Sequence, residues 1–283
     1  MKTNIIFQAL FSVAALALAC MLTSCDDRVN IGLNTSSPYM VVDGTIDNAP
    51  RADTIKLSTS IGYLENKPLP PVADALVIVT SSLGDRDTLK QPKPGYYATS
   101  PGFVGQIGAN YQLEIQWRGE TYKANATMPR GTTIDSAKAV YKEKDSFREA
   151  GYFIAFYTQE PAGVGDYYNF QIKKNDTLQD LPNNLAFTDD RLVDGNYIDG
   201  VELNTEPYKK GDVIVGYGRG ITQDAYFFYT ELANAVFSGG LFAAPPANVR
   251  CNVKNTNSKS EKRASGYFFV ASIDSDSLVC GGE

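Results

Sequence analysis

The segment Tyr111-Gln-Leu-Glu-Ile-Gln-Trp-Arg-Gly-Glu-Thr-Tyr-Lys-Ala-Asn-Ala-Thr-Met128 decides the fold class. Apolar and polar side chains alternate along Tyr111–Trp117 and again along Tyr122–Met128. A period of two residues is typical of strands that bury one face. Because Gly119-Glu120 separates the two runs, the segment predicts an antiparallel β-hairpin.

Strand patterns continue on the N-terminal side of this hairpin. Tyr39–Asp43 and Thr54–Ser58 are rich in β-forming residues, and Ala75–Thr80 is a continuous apolar run of the kind found in strands covered on both faces. These segments predict a mainly β fold. It starts with an immunoglobulin- or transthyretin-like antiparallel β-sandwich of about seven short strands over residues 38–130, with Trp117 in its core.

Residues 131–283 predict a second β-rich domain that contains one amphipathic helix. The helix is expected at about residues 222–237, where Thr222 can act as the N-cap and Ala225, Phe228 and Leu232 share one face. Val215–Gly220 is rich in glycine but lacks the spacing of a dinucleotide-binding loop, so it is interpreted as a flexible entrance to the helix. Five strands are predicted here: Asp135–Lys142, Tyr152–Gln159, Tyr167–Lys173, Asp212–Tyr217 and Gly266–Ile273.

The chain contains no histidine, and its formal net charge is −6. Serine and cysteine hydrolases of the usual kind need an imidazole base, and most catalytic zinc sites need imidazole ligands. An acidic chain without a Lys/Arg stripe also does not favour nucleic-acid binding. The composition therefore predicts a protein that is not an enzyme and needs no cofactor; of the enzymatic chemistries, carboxylate-only glycan hydrolysis stays open.

The first residues have the layout of a bacterial lipoprotein signal. Lys2 precedes an apolar run from Ile5 to Leu22, and Leu22-Thr23-Ser24-Cys25 follows. Residues 1–24 are predicted to be the signal peptide, and Cys25 is predicted to carry diacylglycerol and a palmitate-type acyl chain. Residues 25–37 are polar and predict a lipid-anchored tether. An uncleaved membrane anchor is the alternative.

Cys251 and Cys280 are the two other cysteines after the signal. In an exported protein they predict a disulfide, which would close a loop of about 30 residues and restrict the unfolded chain by roughly 3–4 kcal/mol. Two buried free thiols are the alternative.

Three further groups of residues are candidate sites. Asp189, Asp190, Asp194 and Asp199 could gather around calcium, although an EF-hand loop is ruled out because Leu192 and Val201 fall at ligand positions; a solvated acidic turn is the alternative. The apolar, proline-bearing residues Leu241, Phe242, Pro245 and Pro246 are predicted to face a partner. A three-residue pattern recurs in which an aspartate is followed by a serine or threonine and then by an aliphatic residue or alanine. Its hydroxyl residues are Thr54, Thr88, Ser136, Thr177 and Ser277.

The order of these segments resembles a family of Bacteroidota outer-membrane lipoproteins, the domain-of-unknown-function 4249 family. Its members are commonly encoded beside TonB-dependent receptors, and the family has no established catalytic residues. The resemblance is carried by Tyr39–Gly44, Pro70–Ala75, Gly95–Tyr97, Tyr122–Ala124, Met128–Pro129, Ile134–Ser136, Gly165–Tyr168, Thr188–Gly195, Gly211–Asp212 and Pro245–Val249.

The resemblance gives the five hydroxyl residues a meaning, because bacteria of this phylum O-glycosylate such sequences on exported proteins; local hydrogen bonding to the backbone is the alternative interpretation. Asp26-Asp27 after the lipidated cysteine resembles the acidic signals of surface-exposed lipoproteins of the phylum. The implied location is the outer membrane, at the cell surface rather than on its periplasmic face.

Together these features predict a non-catalytic surface lipoprotein. It would assist a TonB-dependent receptor barrel or bind the receptor's substrate, with the ligand itself unknown. A structural or adhesive fimbrillin-like surface protein is the alternative, and a carboxylate-only glycan-active enzyme is the third.

Overall fold

The computed structural model describes residues 38–62, 65–179, 186–204, 206–237 and 249–282. These residues form strands and one helix, α1 (Gln223–Phe237), and no helix among them is long and apolar enough to cross a membrane. The strands are β1 (Met40–Asp47), β2 (Thr54–Thr59), β3 (Leu76–Ser81), β4 (Arg86–Thr88), β5 (Lys90–Lys93), β6 (Tyr96–Ala98), β7 (Asn110–Trp117), β8 (Glu120–Thr127), β9 (Thr133–Lys142), β10 (Gly151–Gln159), β11 (Tyr167–Lys174), β12 (Thr177–Leu178), β13 (Ala186–Asp189), β14 (Tyr197–Glu202), β15 (Val213–Ile221), β16 (Lys254–Asn255) and β17 (Ala264–Val279).

The predicted hairpin is confirmed as β7 and β8. Their antiparallel register runs from Asn110 opposite Thr127 to Trp117 opposite Glu120, and Arg118-Gly119 forms the turn with positive φ at both residues. Tyr111, Leu113 and Ile115 are fully buried, while the residues between them are polar and more exposed. The mainly β fold class is therefore confirmed, with the hairpin in one wall of a sandwich.

The described strands form three sheets. The largest has the order β12-β11-β15-β17-β1-β2-β6-β5, with β13 also paired to β11; a second has the order β16-β8-β7-β3-β4 and a third β14-β10-β9. The two smaller sheets cover one face of the largest. Between the largest sheet and the sheet of β16-β8-β7-β3-β4 lies a first core, which includes Met40, Leu113 and Phe268. Between the largest sheet and the sheet of β14-β10-β9 lies a second core, which includes Phe156 and Ile214.

Strand β17 joins the two parts of the molecule. It pairs in parallel with β1 and antiparallel with β15, and it is much longer than the predicted Gly266–Ile273. Phe268 and Val270 belong to the first core. Because strand residues alternate in direction, Tyr267 and Phe269 reach the opposite face of the sheet, where they pack beneath α1.

The predicted boundary near residue 130 lies between β8 and β9, and each side has its own cluster of buried residues. The described residues nevertheless belong to one compact unit, because β16 and β17 return from the second segment to complete sheets of the first. The two-domain division stays a prediction.

Helix α1 begins where the sequence predicted. The Thr222 hydroxyl oxygen accepts the backbone N–H of Ala225 (3.2 Å), which satisfies one of the free donors of the first turn. Ala225 and Tyr229 are buried against Phe269 and Ala271 of β17. The helix thus covers part of the face of the largest sheet that the smaller sheets leave open.

The glycine-rich stretch before α1 is not a flexible entrance, contrary to the prediction. Residues 213–221 form β15, which pairs with β11 on one side and β17 on the other. A Cβ atom on Gly216 would lie closer than 3.0 Å to the Phe156 ring. Glycine is needed here because an aromatic side chain of β10 packs directly on the backbone of β15.

Candidate functional site

A cleft of about 610 Å³ lies on the open face of the largest sheet, beside α1. Its walls come from the outward-facing residues of β1, from Arg219 on β15, from Tyr267, Phe269 and Ile273 on β17, and from the adjacent face of α1. This volume is in the range of small-molecule sites, which are concave and mostly apolar with a few polar groups. The cleft is therefore a candidate binding site.

Arg219 is the unusual residue of the cleft, since its guanidinium is almost completely buried, with 5% of the residue exposed. Nη1 donates to Oδ1 of Asn169 (3.2 Å) and Nη2 to the hydroxyl oxygen of Thr45 (3.4 Å). Both acceptors are neutral, and within the described chain no carboxylate lies within 4.0 Å of the guanidinium. A buried cation without a counter-ion is costly. The carboxylates of Asp43, Asp47 and Asp53 line the same cleft but do not form an ion pair with Arg219, so Arg219 places a positive charge in a cleft of mixed charge.

Aromatic rings form the wall above this cation. The ring centroids of Tyr229 and Phe269 are 5.3 Å apart in a stacked pair, and those of Phe228 and Tyr267 are 4.8 Å apart. The Arg219 guanidinium lies 5.9 Å from the centroid of Phe269. Burial raises the pKa of the Tyr229 hydroxyl while Arg219 opposes the rise. Aromatic faces and a guanidinium together suit a ligand that has a flat apolar part and an anionic group.

A polar network holds α1 against this wall. The Tyr267 hydroxyl donates to Oδ2 of Asp224 (2.6 Å), and burial followed by this bond raises the pKa of Tyr267. Arg250 donates from Nη1 to Asp224 (2.7 Å) and from Nη2 and Nε to Glu231 (2.7 and 3.0 Å). A bidentate arginine fixes geometry better than a single ion pair does. The network therefore helps to hold the part of α1 that supplies Phe228, Tyr229 and Leu232 to the cleft wall.

At the rim, Arg51 bridges two buried carboxylates, Asp47 and Asp53. The backbone N–H of Asp47 donates to Oδ2 of Asp53 (2.8 Å), and that of Ala49 donates to Oδ1 of Asp47 (2.9 Å). Desolvation, and then repulsion from Asp47, raise the pKa of Asp53 to about 7. All four carboxylate oxygens have partners within the β1–β2 turn, so this pair is built to hold the turn.

Replacing Asp53 with asparagine is expected to flatten the pH dependence of stability. The pKa of Asp53 is about 7 in the folded state against an ordinary value of 3.8, so the folded protein keeps a proton that the unfolded chain releases. The free energy of unfolding should then fall as the pH rises from about 4 to 7, by up to about 4 kcal/mol, and level off above.

Urea unfolding of wild type and Asp53→Asn at several pH values between 4 and 8 measures this slope. Asp85→Asn, which removes an exposed carboxylate, is the control and should leave the slope unchanged. An unchanged slope in Asp53→Asn would contradict the assignment.

The structure brings two of the four predicted metal ligands together. Asp190 and Asp194 lie with Glu160 in a group whose carboxylate oxygens are within 4.8 Å of one another. Asp189 instead pairs with Arg191 (2.8 Å), and Asp199 is exposed on β14. Glu160 was missed because it follows β10, thirty residues earlier in the chain, and only the tertiary structure places it beside the turn.

The predicted disulfide between Cys251 and Cys280 is not formed. Both residues are free thiols, and burial raises the pKa of each. Cys251 packs against the first core, whereas Cys280 lies in the second. The spacing along the chain was compatible with a bond, but the two thiols lie in different cores.

Some of the remaining predicted sites lie in the described part of the chain, and others lie outside it. Four of the hydroxyl residues, Thr54, Thr88, Thr177 and Ser277, are exposed, and Ser136 is half-buried. Some local backbone bonding is also present, since the Ser277 N–H donates to Oδ1 of Asp276 (2.8 Å). O-glycosylation at these positions stays a prediction. Cys25 and the segment with Leu241, Phe242, Pro245 and Pro246 lie outside the described residues.

Sequence reasoning missed Arg219, although a signal was present. It is the charged residue of a glycine-rich strand, Val215-Gly-Tyr-Gly-Arg219-Gly-Ile221, and a charge within a strand of a covered sheet is unexpected unless it has a partner or a role. The aromatic residues of α1 and β17 have two roles in the structure, because they pack together and also line the cleft.

Comparison with known proteins gives one family and no characterised relative. The family model described as Domain of unknown function (DUF4249) matches residues 26–277, which span the whole described body except its last residues. None of the curated proteins matches the chain.

Proposed function

Since the chain belongs to the DUF4249 family, a domain of unknown function, we propose that it is a non-enzymatic binding lipoprotein that takes an anionic ligand into the cleft at Arg219. It is held on the outer membrane by a lipid on Cys25, at the cell surface. There it serves a TonB-dependent receptor as an accessory or substrate-binding partner.

The observation that carries the proposal is the buried guanidinium of Arg219 on the floor of the cleft, which has no carboxylate partner among the described residues. A guanidinium has five N–H donors, and its hydrogen-bond partners in the described chain are the neutral groups of Asn169, Thr45 and Tyr229. A carboxylate or phosphate entering the cleft would supply the missing counter-charge and form charge-assisted hydrogen bonds.

The aromatic wall supports a ligand with an apolar body attached to that anionic group. Tyr229, Tyr267 and Phe269 present rings to the cleft and are held by packing and by the Asp224–Arg250–Glu231 network. A preformed site loses little entropy on binding. A binding role without catalysis is favoured because the carboxylate oxygens of Asp47 and Asp53, at the rim, already have hydrogen-bond or ion-pair partners within the β1–β2 turn.

The test is to purify the full-length protein from native outer membranes after cross-linking, as wild type and as Arg219→Met. Wild type is expected to carry a small anionic molecule, detected by mass spectrometry, and to bring down a receptor barrel. Arg219→Met should bind the same molecule roughly 10–100-fold more weakly, because a hydrogen bond to a charged group contributes about 1.5–3 kcal/mol. Arg191→Met, an exposed arginine outside the cleft, is the control.

Stability separates a binding role of Arg219 from a structural one. Arg219→Met removes a buried charge that has no carboxylate partner but also leaves the buried Oδ1 of Asn169 without its donor, so the ligand-free variant should lose at most about 1–3 kcal/mol of stability. A large loss of stability with no ligand in wild type would show that Arg219 only supports the fold. Recovery of polymers of this chain without a barrel would favour the adhesive alternative.

A further inference from the structure

Three carboxylates converge where two loops meet at one end of β11. Glu160 and Asp190 are each only 1% exposed, and Asp194 is half-buried beside them. One oxygen from each lies within 4.8 Å of the other two. Glu160 belongs to the loop of residues 160–166, and the two aspartates belong to the turn of residues 189–196, so the cluster joins two separate segments.

Four of the six carboxylate oxygens accept hydrogen bonds, and three of the four accept them from the opposite segment. Oδ1 of Asp194 accepts the backbone N–H of Gly163 (2.6 Å). Oδ2 of Asp190 accepts the backbone N–H groups of Gly165 (2.7 Å) and Asp166 (2.9 Å). Oε1 of Glu160 accepts the Tyr168 hydroxyl (2.7 Å), and Oε2 accepts the N–H of Gly195. These bonds orient the carboxylates without removing their charge.

One buried oxygen of the cluster has no partner in the described part of the chain. Oδ1 of Asp190 is buried and has no hydrogen-bond partner among the described residues. Buried carboxylate oxygens are almost always satisfied, and an unsatisfied one is costly. The missing partner of this oxygen is an observation separate from the closeness of the three carboxylates. It indicates that a cation belongs beside Oδ1 of Asp190.

The charges around the three carboxylates also favour a bound cation. Asp166 lies next to the cluster, and its Oδ2 is paired with Nε of Arg130 (2.7 Å). In the described part of the chain, no lysine or arginine comes within 4.0 Å of the three clustered carboxylates. Like charges held this close in a buried setting repel strongly, and a bound cation would relieve that repulsion.

We propose that Glu160, Asp190 and Asp194 bind one Ca²⁺ ion, which clamps the loop of residues 160–166 to the turn of residues 189–196. All candidate ligands are carboxylate oxygens, the type that hard cations prefer, and Ca²⁺ accepts about 6–8 oxygens in flexible geometry. Magnesium fits less well because it demands a near-ideal octahedron.

The test is calcium titration of the detergent-solubilised full-length protein after removal of metals with EGTA. Isothermal titration calorimetry is expected to show one Ca²⁺ ion per chain. Saturating Ca²⁺ should raise Tm by several degrees, because a ligand that binds only the folded state stabilises it. No heat of binding and no change in Tm would overturn the proposal, as would an equal response to Mg²⁺, which would indicate non-specific screening.

Variants place the ion at this cluster. Asp190→Asn and Asp194→Asn are each expected to weaken Ca²⁺ binding at least about tenfold, since each removes an anionic ligand. Asp194 is the less buried of the two, so its variant keeps the test informative if Asp190→Asn does not fold. Asp189→Asn in the same turn, whose carboxylate pairs with Arg191, is the matched control and should bind Ca²⁺ like wild type. Equal loss in all three variants, or none, would overturn the site.

Discussion

Replacing Gly266 with alanine is expected to destabilise the protein by more than about 4 kcal/mol, a loss found only at positions with a specific structural cause. Gly266 has φ of +86° and lies opposite Val42 in the parallel pairing of β1 and β17. A Cβ atom there would come closer than 3.0 Å to the carbonyl oxygen of Val42. Because the obstacle is backbone, the two strands would have to separate.

Gly108→Ala is the matched control for this variant. Gly108 has nearly the same φ, +85°, but a Cβ atom there would meet nothing within 4 Å. It should cost only the strain of a left-handed alanine, about 1–2 kcal/mol. The free energy of unfolding of both variants can be measured by urea denaturation. Equal losses would mean that the backbone angle alone, and not the approach of β1, makes Gly266 necessary.

The segment of residues 38–130, expressed alone, is expected not to fold. Phe268 and Val270 of β17 and Val253 complete its core, and β17 pairs with all eight residues of β1. Loss of one buried phenylalanine side chain already costs about 3–5 kcal/mol, whereas a whole domain is stable by about 5–15 kcal/mol. The combined loss of these buried side chains and of the strand pairing is larger than the free energy of unfolding of a sandwich of this size.

Circular dichroism and urea unfolding of the fragment provide the measurement. Residues 38–283 are the control and should unfold in a cooperative transition. Adding residues 131–283 as a separate chain is expected to restore folding of the fragment, since they carry β16 and β17. A sharp transition of the fragment alone would instead support the predicted domain boundary near residue 130.

The sequence predicted those elements whose signals are local. The β7–β8 hairpin followed from alternation on both arms, and α1 followed from Thr222 and an apolar face of the right period. The strand predicted at Asp212–Tyr217 is confirmed, but the sequence did not predict that it continues through Gly218 and Gly220 to Ile221, because glycines in a strand usually indicate weakness. In this strand Gly216 is required by the Phe156 ring, which comes from a strand more than fifty residues earlier.

The candidate sites follow the same division. Asp190 and Asp194 were recognisable because they lie in one short acidic turn, but Glu160 joins them only through the pairing of β10 and β14 and of β11 and β13. The disulfide prediction failed for a related reason, since sequence spacing carries no information about which core a cysteine enters.

By itself the sequence determined the mainly β fold class, the hairpin, the helix and the family, because each rests on periodicity or on the order of short motifs along the chain. Only the tertiary structure decided that β17 serves both cores, that Arg219 lies buried without a carboxylate partner, and that an aromatic cleft forms above it. The physical reason is that burial and unpaired charge depend on contacts between segments distant in sequence, which no local pattern encodes.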